Sequence, residues 1–144
     1  MHVFIDSSVA PRRGAVGAYL VALPDQSIET MISNIQTVEL KSVNSTDAEL
    51  ELAIYVLTHI KPITHIYTDC NNLYGIKNRH FSPTHKKASM YNLLLQITKD
   101  VEIIKIKGHN KASNKVTDAD KIFGYVDKLA RSSLTSNGSG VNHF

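Results

Sequence analysis

Cysteine is almost missing from this chain: Cys70 is the only one among 144 residues. A single thiol excludes an internal disulfide and a cysteine-based zinc site, so the sequence fits a reducing compartment, and a cytoplasmic location is expected. Cys70 itself reads as a small packed residue. Long apolar runs are lacking too. The longest, AVGAYLVAL at residues 15 to 23, is about half of what a membrane span needs, and Asp6 interrupts the N-terminus before a signal-peptide core can form. Membrane insertion and secretion are therefore not expected. There is no internal repeat and no interior linker. With 42% hydrophobic and 20% charged residues, the composition is that of one soluble globular domain. The expected domain spans residues 1–135, followed by a polar tail, SNGSGVNHF (136–144), expected to be disordered; a monomer is expected.

The net charge of +3 is small, but the basic residues are clustered. Arg12 and Arg13 adjoin; Lys77, Arg79, Lys86 and Lys87 fall close together; Lys105, Lys107, Lys111 and Lys115 form a third group. Beside a set of acids, such clusters suit a polyanion held against metal ions, although each alone could be a solvated face.

Apolar patterning predicts three early strands: HVFI at 2–5, Ala15 to Leu23 after the turn-like SSVAPRRG, and a third over Met31, Ile32, Ile35, Val38 and Leu40. A helix follows from Thr46 until just before Pro62, then a strand over Ile63 to Thr68. CNNLYGIKN reads as a short helix or turn, HKKASMYNLLLQITKD as a helix and VEIIKIK as a strand. A final helix is opened by the approximate capping box T-D-A-D at 117–120. This order implies a meander followed by parallel crossovers, hence one mixed five-stranded sheet flanked by helices. Ligands collect beyond the carboxyl ends of adjacent strands in such sheets.

Two apolar strands, MHVFID and IYTDCN, run into carboxylates, Asp6 and Asp69. Either acid alone could open a turn. Two of them, on strands that this order can set side by side, are better explained by a shared divalent cation. At about 100° per residue, Glu49 shares a helix side with Leu52, Ala53, Val56 and Leu57. Glu51 points the other way and reads as a solvated charge. On the last helix Asp127 shares a side with Phe123, Ala130 and Leu134; Asp120 is its rival, and an ion pair with Arg131 is the alternative role for Asp127. Four carboxylates make an all-oxygen site suited to Mg²⁺ or Mn²⁺. Two such ions about 4 Å apart can activate a water and stabilise the departing oxygen of a phosphodiester.

VFIDSS, NSTDAELELAI, HIYTDCNNLYGI, IKIKGH and VDKLARSSL, in this order, resemble the ribonuclease H family, in particular the type 1 enzymes and the related domains of reverse transcriptases. The resemblance implies the ribonuclease H-like α/β fold. It also implies Asp6, Glu49, Asp69 and Asp127 as catalytic acids holding two Mg²⁺ ions, for which Mn²⁺ can substitute. His109, in KGH, is implied to assist proton transfer or product release. The implied substrate is an RNA·DNA hybrid, cut in its RNA strand to leave 5′-phosphate and 3′-hydroxyl ends. Asn44, Ser45, Thr46 and Asn71 occupy the places from which the family reads 2′-hydroxyls, although helix capping and turn formation explain them equally well. Arg79, Lys86 and Lys87 are the candidates to hold the DNA strand or hybrid backbone. The alternatives are a nuclease of the same fold acting on structured DNA or RNA, and a non-catalytic hybrid-binding or RNA-binding module. The chain departs from the family pattern in having Ser7, Ser8 and a Pro-Arg-Arg-Gly turn where glycines are usual. It has no Trp-rich basic handle, and its segment between His109 and Asp127 is longer than usual.

Overall fold

A computed structural model describes residues 1–78, 84, 86–106 and 117–141. Its strands are β1 (His2–Ala10), β2 (Gly14–Ala22), β3 (Gln36–Leu40), β4 (His65–Thr68) and β5 (Glu102–Lys105). They form one sheet in the order β3-β2-β1-β4-β5, in which β1 to β3 are antiparallel and β4 and β5 run parallel with β1. The helices are α1 (Ile28–Ser33), α2 (Ser45–His59), α3 (Asn71–Tyr74), α4 (Ala88–Ile97) and α5 (Asp118–Val141), with a 3₁₀ turn at Ile76–Asn78. This is the mixed five-stranded architecture expected from the sequence. No helix among the described residues is long and apolar enough to cross a membrane.

Helices cover both faces of the sheet. On one, Val3, Ile5 and Ile66 pack against Leu52, Ala53 and Val56 of α2 and Leu94 of α4. On the other, Phe4, Ala18 and Leu20 pack against Phe123, Val126 and Ala130 of α5. A strand covered on both faces needs apolar residues at successive positions, which is why HVFI and AVGAYLVA do not alternate with polar residues. Each fully buried Leu or Val contributes about 1.5–3 kcal/mol through its removal from water.

Three boundaries differ most from the sequence expectation. β1 does not stop at Ile5: Asp6, Ser7, Ser8, Val9 and Ala10 stay paired with β2, down to Ala10 opposite Gly14. The polar residues hide the strand because its flank here borders no further strand and need not be apolar. Met31 and Ile32 belong to α1, whose N-cap Ser27 accepts from the Thr30 N–H, so β3 begins only at Gln36. Lastly, α5 continues through Val141, where a tail was expected after residue 135. Extending an existing helix adds one hydrogen bond per residue without a new nucleation step, so a polar sequence of poor helix propensity can follow it.

The register of β1 on β4 fixes which residues meet at the strand ends. His2 pairs with His65 and Phe4 with Tyr67. Their rings stack across the strands, with centroids 4.0 Å apart for the first pair and 4.2 Å for the second. Such cross-strand pairs pin a register that a one-residue slip would invert. Continued by two positions, it brings Asp69 beside Asp6.

Candidate metal centre

β4 ends at Thr68 whereas β1 runs on to Ala10. Beyond the last β1–β4 pair the sheet has a gap beside β1, and carboxylates from both helical layers can meet there. Asp6 belongs to the α5 side of β1 and Ser7 to the α2 side, because successive strand residues point to opposite faces. Glu49 comes in from the first turns of α2, a helix started by Asn44, whose side-chain carbonyl accepts from the Asp47 N–H at 2.8 Å. On α2 the buried residues include Glu49, Leu52, Ala53, Val56 and Leu57, the face that helical spacing selects.

One ligand oxygen each from Asp6, Glu49 and Asp69 lies within 4.8 Å of the others. Asp6 and Glu49 are buried, at 4% and 3% exposure. Asp127 lines the same cleft and is hydrogen-bonded to Asp6. It also accepts from Arg131 at 2.7 Å, so the i, i+4 ion pair and the place at the cleft hold together. Asp120, the rival acid, is used elsewhere. It takes the Thr117 N–H and hydroxyl at 3.1 and 2.8 Å, while its own N–H donates to the Thr117 hydroxyl, closing the capping box.

Two hydroxyls that sequence reasoning missed hold Glu49 in place. Ser7 Oγ donates to one carboxylate oxygen at 2.8 Å and Thr68 Oγ1 to the other at 3.0 Å. The Cys70 N–H in turn donates to Thr68 Oγ1, which directs that hydroxyl's own proton to Glu49. The available signal was strand parity: Ser7 and Thr68 each directly adjoin a candidate ligand. Glu51 is also not a solvated charge. The segment leaving β3 folds back over it, and its carboxylate accepts the N–H groups of Lys41 and Ser42 and the Ser42 hydroxyl.

The electrostatics of the cluster call for a cation. Burial pushes Asp6 up to about 10, reinforced by its hydrogen bond with Asp127 and by the charges of Glu49, Asp69 and Asp127. Glu49 is pushed up to about 7 by burial and by Asp69, against the pull of the Ser7 and Thr68 hydrogen bonds. Among the described residues, no Lys, Arg or His lines the cleft, which has a volume of about 370 Å³. Clustered carboxylate oxygens of this kind fit a hard divalent ion. Cys70 lines the cleft, but burial pushes its thiol up and keeps it protonated, a poor ligand and nucleophile.

Of the other expected site residues, Ser45, Thr46 and Asn71 line the cleft, together with Asn72. Asn44 does not, being occupied as the α2 cap. Lys87 ion-pairs with Asp47 and Lys86 is exposed; neither lines the cleft. Lys105 of β5 donates to the Asn71 side-chain carbonyl. Arg79 and His109 lie outside the described residues.

The fold is α/β and its cleft gathers an acidic cluster that could hold a metal ion, and the comparisons give the family. The RNase H family model matches residues 1–132. The solution structure of the prototype foamy virus RNase H domain is similar at a TM-score of 0.63 and 15% identity, covering 94% of each chain. The N-terminal RNase H domain of a Mycobacterium tuberculosis protein, solved as a fusion with maltose-binding protein, gives 0.60 and 15%, covering 97% of this chain and 98% of that one. A foamy viral protease-reverse transcriptase in complex with an RNA/DNA hybrid gives 0.64 and 14%; it covers 94% of this chain, which spans 20% of that protein. No curated protein sequence matches. The chain belongs to the RNase H family.

Proposed function

We propose that this chain is a divalent-metal-dependent endonuclease that hydrolyses the RNA strand of RNA·DNA hybrids by a two-metal-ion mechanism, with Mg²⁺ as the working ion and Mn²⁺ able to replace it. The observation that carries the reading is the convergence of Asp6, Glu49 and Asp69 within 4.8 Å, at a cleft that Asp127 also lines, in a chain of the RNase H family. The structural likeness to a reverse transcriptase that holds an RNA/DNA hybrid supports the choice of substrate.

In this reading Asp6, Glu49, Asp69 and Asp127 hold the ions. When bound, these supply Lewis-acid activation of water and neutralise charge on the departing oxygen. The chain's own residues do the rest. Ser7 and Thr68 fix both oxygens of Glu49, so the acid does not have to reorient when charge enters the cleft. Ser45, Thr46 and Asn71 offer hydroxyl and carboxamide groups at the cleft wall, the chemistry that recognises a 2′-hydroxyl. Arg79, Lys86 and Lys87 hold backbone phosphates, Lys87 by exchanging Asp47 for a phosphate. His109 moves a proton as product leaves. Hydrolysis leaves a 5′-phosphate and a 3′-hydroxyl.

A panel of end-labelled duplexes tests the substrate. With Mg²⁺ the RNA strand of an RNA·DNA hybrid is cut, while DNA·DNA and RNA·RNA of the same sequence stay intact, and EDTA stops the cutting. Equal cleavage of DNA·DNA would overturn the hybrid reading in favour of a nuclease for structured DNA. Hybrid binding without any cleavage would favour a non-catalytic module.

A further inference from the structure

The hairpin that closes β1 onto β2 stands beyond the acids and has no part in the cleft. Its arms stay in register down to Ala10 opposite Gly14, and the Arg13 N–H closes the turn on the Ala10 carbonyl at 3.1 Å. At the tip Arg12 and Arg13 are both exposed. Arg12 sits at φ 66°, in the left-handed region, and Gly14 follows at φ 89°. Glycine or asparagine is the usual occupant of such a position; a long side chain there is disfavoured. The turn thus keeps a guanidinium where its own backbone would prefer a smaller residue. Local strain of this kind at an exposed tip asks for a function.

The basic side chains divide into engaged ones and ones without an ion pair among the described residues; Arg12 and Arg13 are an adjacent pair in the second group, beside separate lysines such as Lys41, Lys61 and Lys86. Lys77, Lys87, Lys105 and Arg131 are each engaged by a protein oxygen: the Val101 carbonyl, Asp47, Asn71 and Asp127 in turn. Arg12 and Arg13 make no ion pair among the described residues. Ala10 lies four residue steps along the strand from Asp6, or roughly 14 Å at about 3.4 Å per step. Stacked base pairs rise by about 3.4 Å each, so this spans about four of them.

We propose that the β1–β2 hairpin is a phosphate-gripping arm: Arg12 and Arg13 bind the backbone of the hybrid about four base pairs to one side of the cut. This rests on the reading of the chain as a hybrid nuclease. The arm sets register and minimum substrate length on that side, and it takes no part in bond breaking. Arginine suits the task because its fork pairs with two phosphate oxygens at once.

The test is hybrid binding by fluorescence anisotropy in EDTA across a KCl series, with melting temperatures measured alongside. Arg12→Gly combined with Arg13→Ser lowers the slope of log Kd against log salt by about 1.4 to 1.8, at about 0.7–0.9 per lost phosphate contact. Its melting temperature is unchanged or higher, because Gly relieves the turn. Arg12→Lys with Arg13→Lys, which keeps both charges, retains the slope. Hybrids trimmed to fewer than about four base pairs on one side of the cut are bound alike by parent and Gly/Ser variant; trimming the other side leaves the difference intact. An unchanged slope in the Gly/Ser variant, or a difference that survives trimming from either side, overturns the arm. A parent protein that cuts hybrid, with no change of slope in the Gly/Ser variant, sinks this proposal alone, whereas a parent that does not cut hybrid sinks the reading beneath it.

Discussion

Asp6 concentrates the physical conflict in this molecule. It is buried, hydrogen-bonded to one acid and faced by two more, and in metal-free protein it stays protonated up to about pH 10. Its ordinary value is 3.8. Between these limits the unfolded chain has released a proton that the native state still holds, so the contribution of Asp6 to native stability is fully present below about pH 4 and is lost as pH rises. Glu49, raised from 4.5 to about 7, adds to the same trend over its own window. Asp6→Asn removes the larger part of this cost. In EDTA at pH 8 the variant is expected to be more stable than the parent, melting at a higher temperature, and the difference shrinks by pH 5. Mg²⁺ then raises the melting temperature of the parent and not of the variant. Thermal unfolding at the two pH values, with and without Mg²⁺, checks both statements. The acids themselves were legible in the sequence because a charge that ends an apolar run, or sits on a packed helix side, stands out. Ser7, Thr68 and the true role of Glu51 were not: a hydroxyl donating to a carboxylate leaves no mark on hydropathy, and Glu51 acquires its partners only when residues 41 and 42 fold back over α2.

At the scale of elements, the site depends on how tightly α2 lies on the sheet. Gly17 of β2 makes that approach possible: a Cβ there would fall 2.6 Å from Leu52 Cδ1, and Leu52 is fully buried. Gly17→Ala forces the packed Leu52 side chain out of its place between α2 and the sheet. The expected cost is about 1–3 kcal/mol in denaturant unfolding, as for overpacking elsewhere. Since α2 carries Glu49, the same change is expected to raise the Mg²⁺ concentration needed for half-maximal cleavage, whereas a substitution at exposed Val43 leaves both unchanged. Periodicity placed α2 and α4 well because their apolar positions face a single layer, and β5 because its apolar residues run together as in a strand covered on both faces. It misplaced the end of β1 and the start of β3. In the first a strand continues past the point where it needs apolar residues, and in the second a six-residue helix carries Met31 and Ile32 on a pattern equally readable as a strand.

For the molecule as a whole, the sheet is a frame of strands unequal in length. β1 outruns β4, and that mismatch lets acids from the α2 and α5 layers converge on one point that neither layer could build alone. The same overrun carries the basic hairpin beyond the cleft. In the proposed reading a polyanion would be held by cations at the periphery and drawn to a centre that is itself acidic, which calls for metal ions between the two. Asp69 is the residue on which a metal-dependent nuclease of this design depends most directly. Cleavage of an RNA·DNA hybrid labelled on the RNA strand should be followed for the parent and for Asp69→Asn in saturating Mg²⁺, with hybrid affinity measured for both. The substitution is predicted to lower the cleavage rate by about a thousandfold or more, as loss of a centre supplying at least about 4 kcal/mol of transition-state stabilisation requires, while affinity stays within a few-fold of the parent. Cleavage by Asp69→Asn at near the parental rate would contradict the metal-centre mechanism.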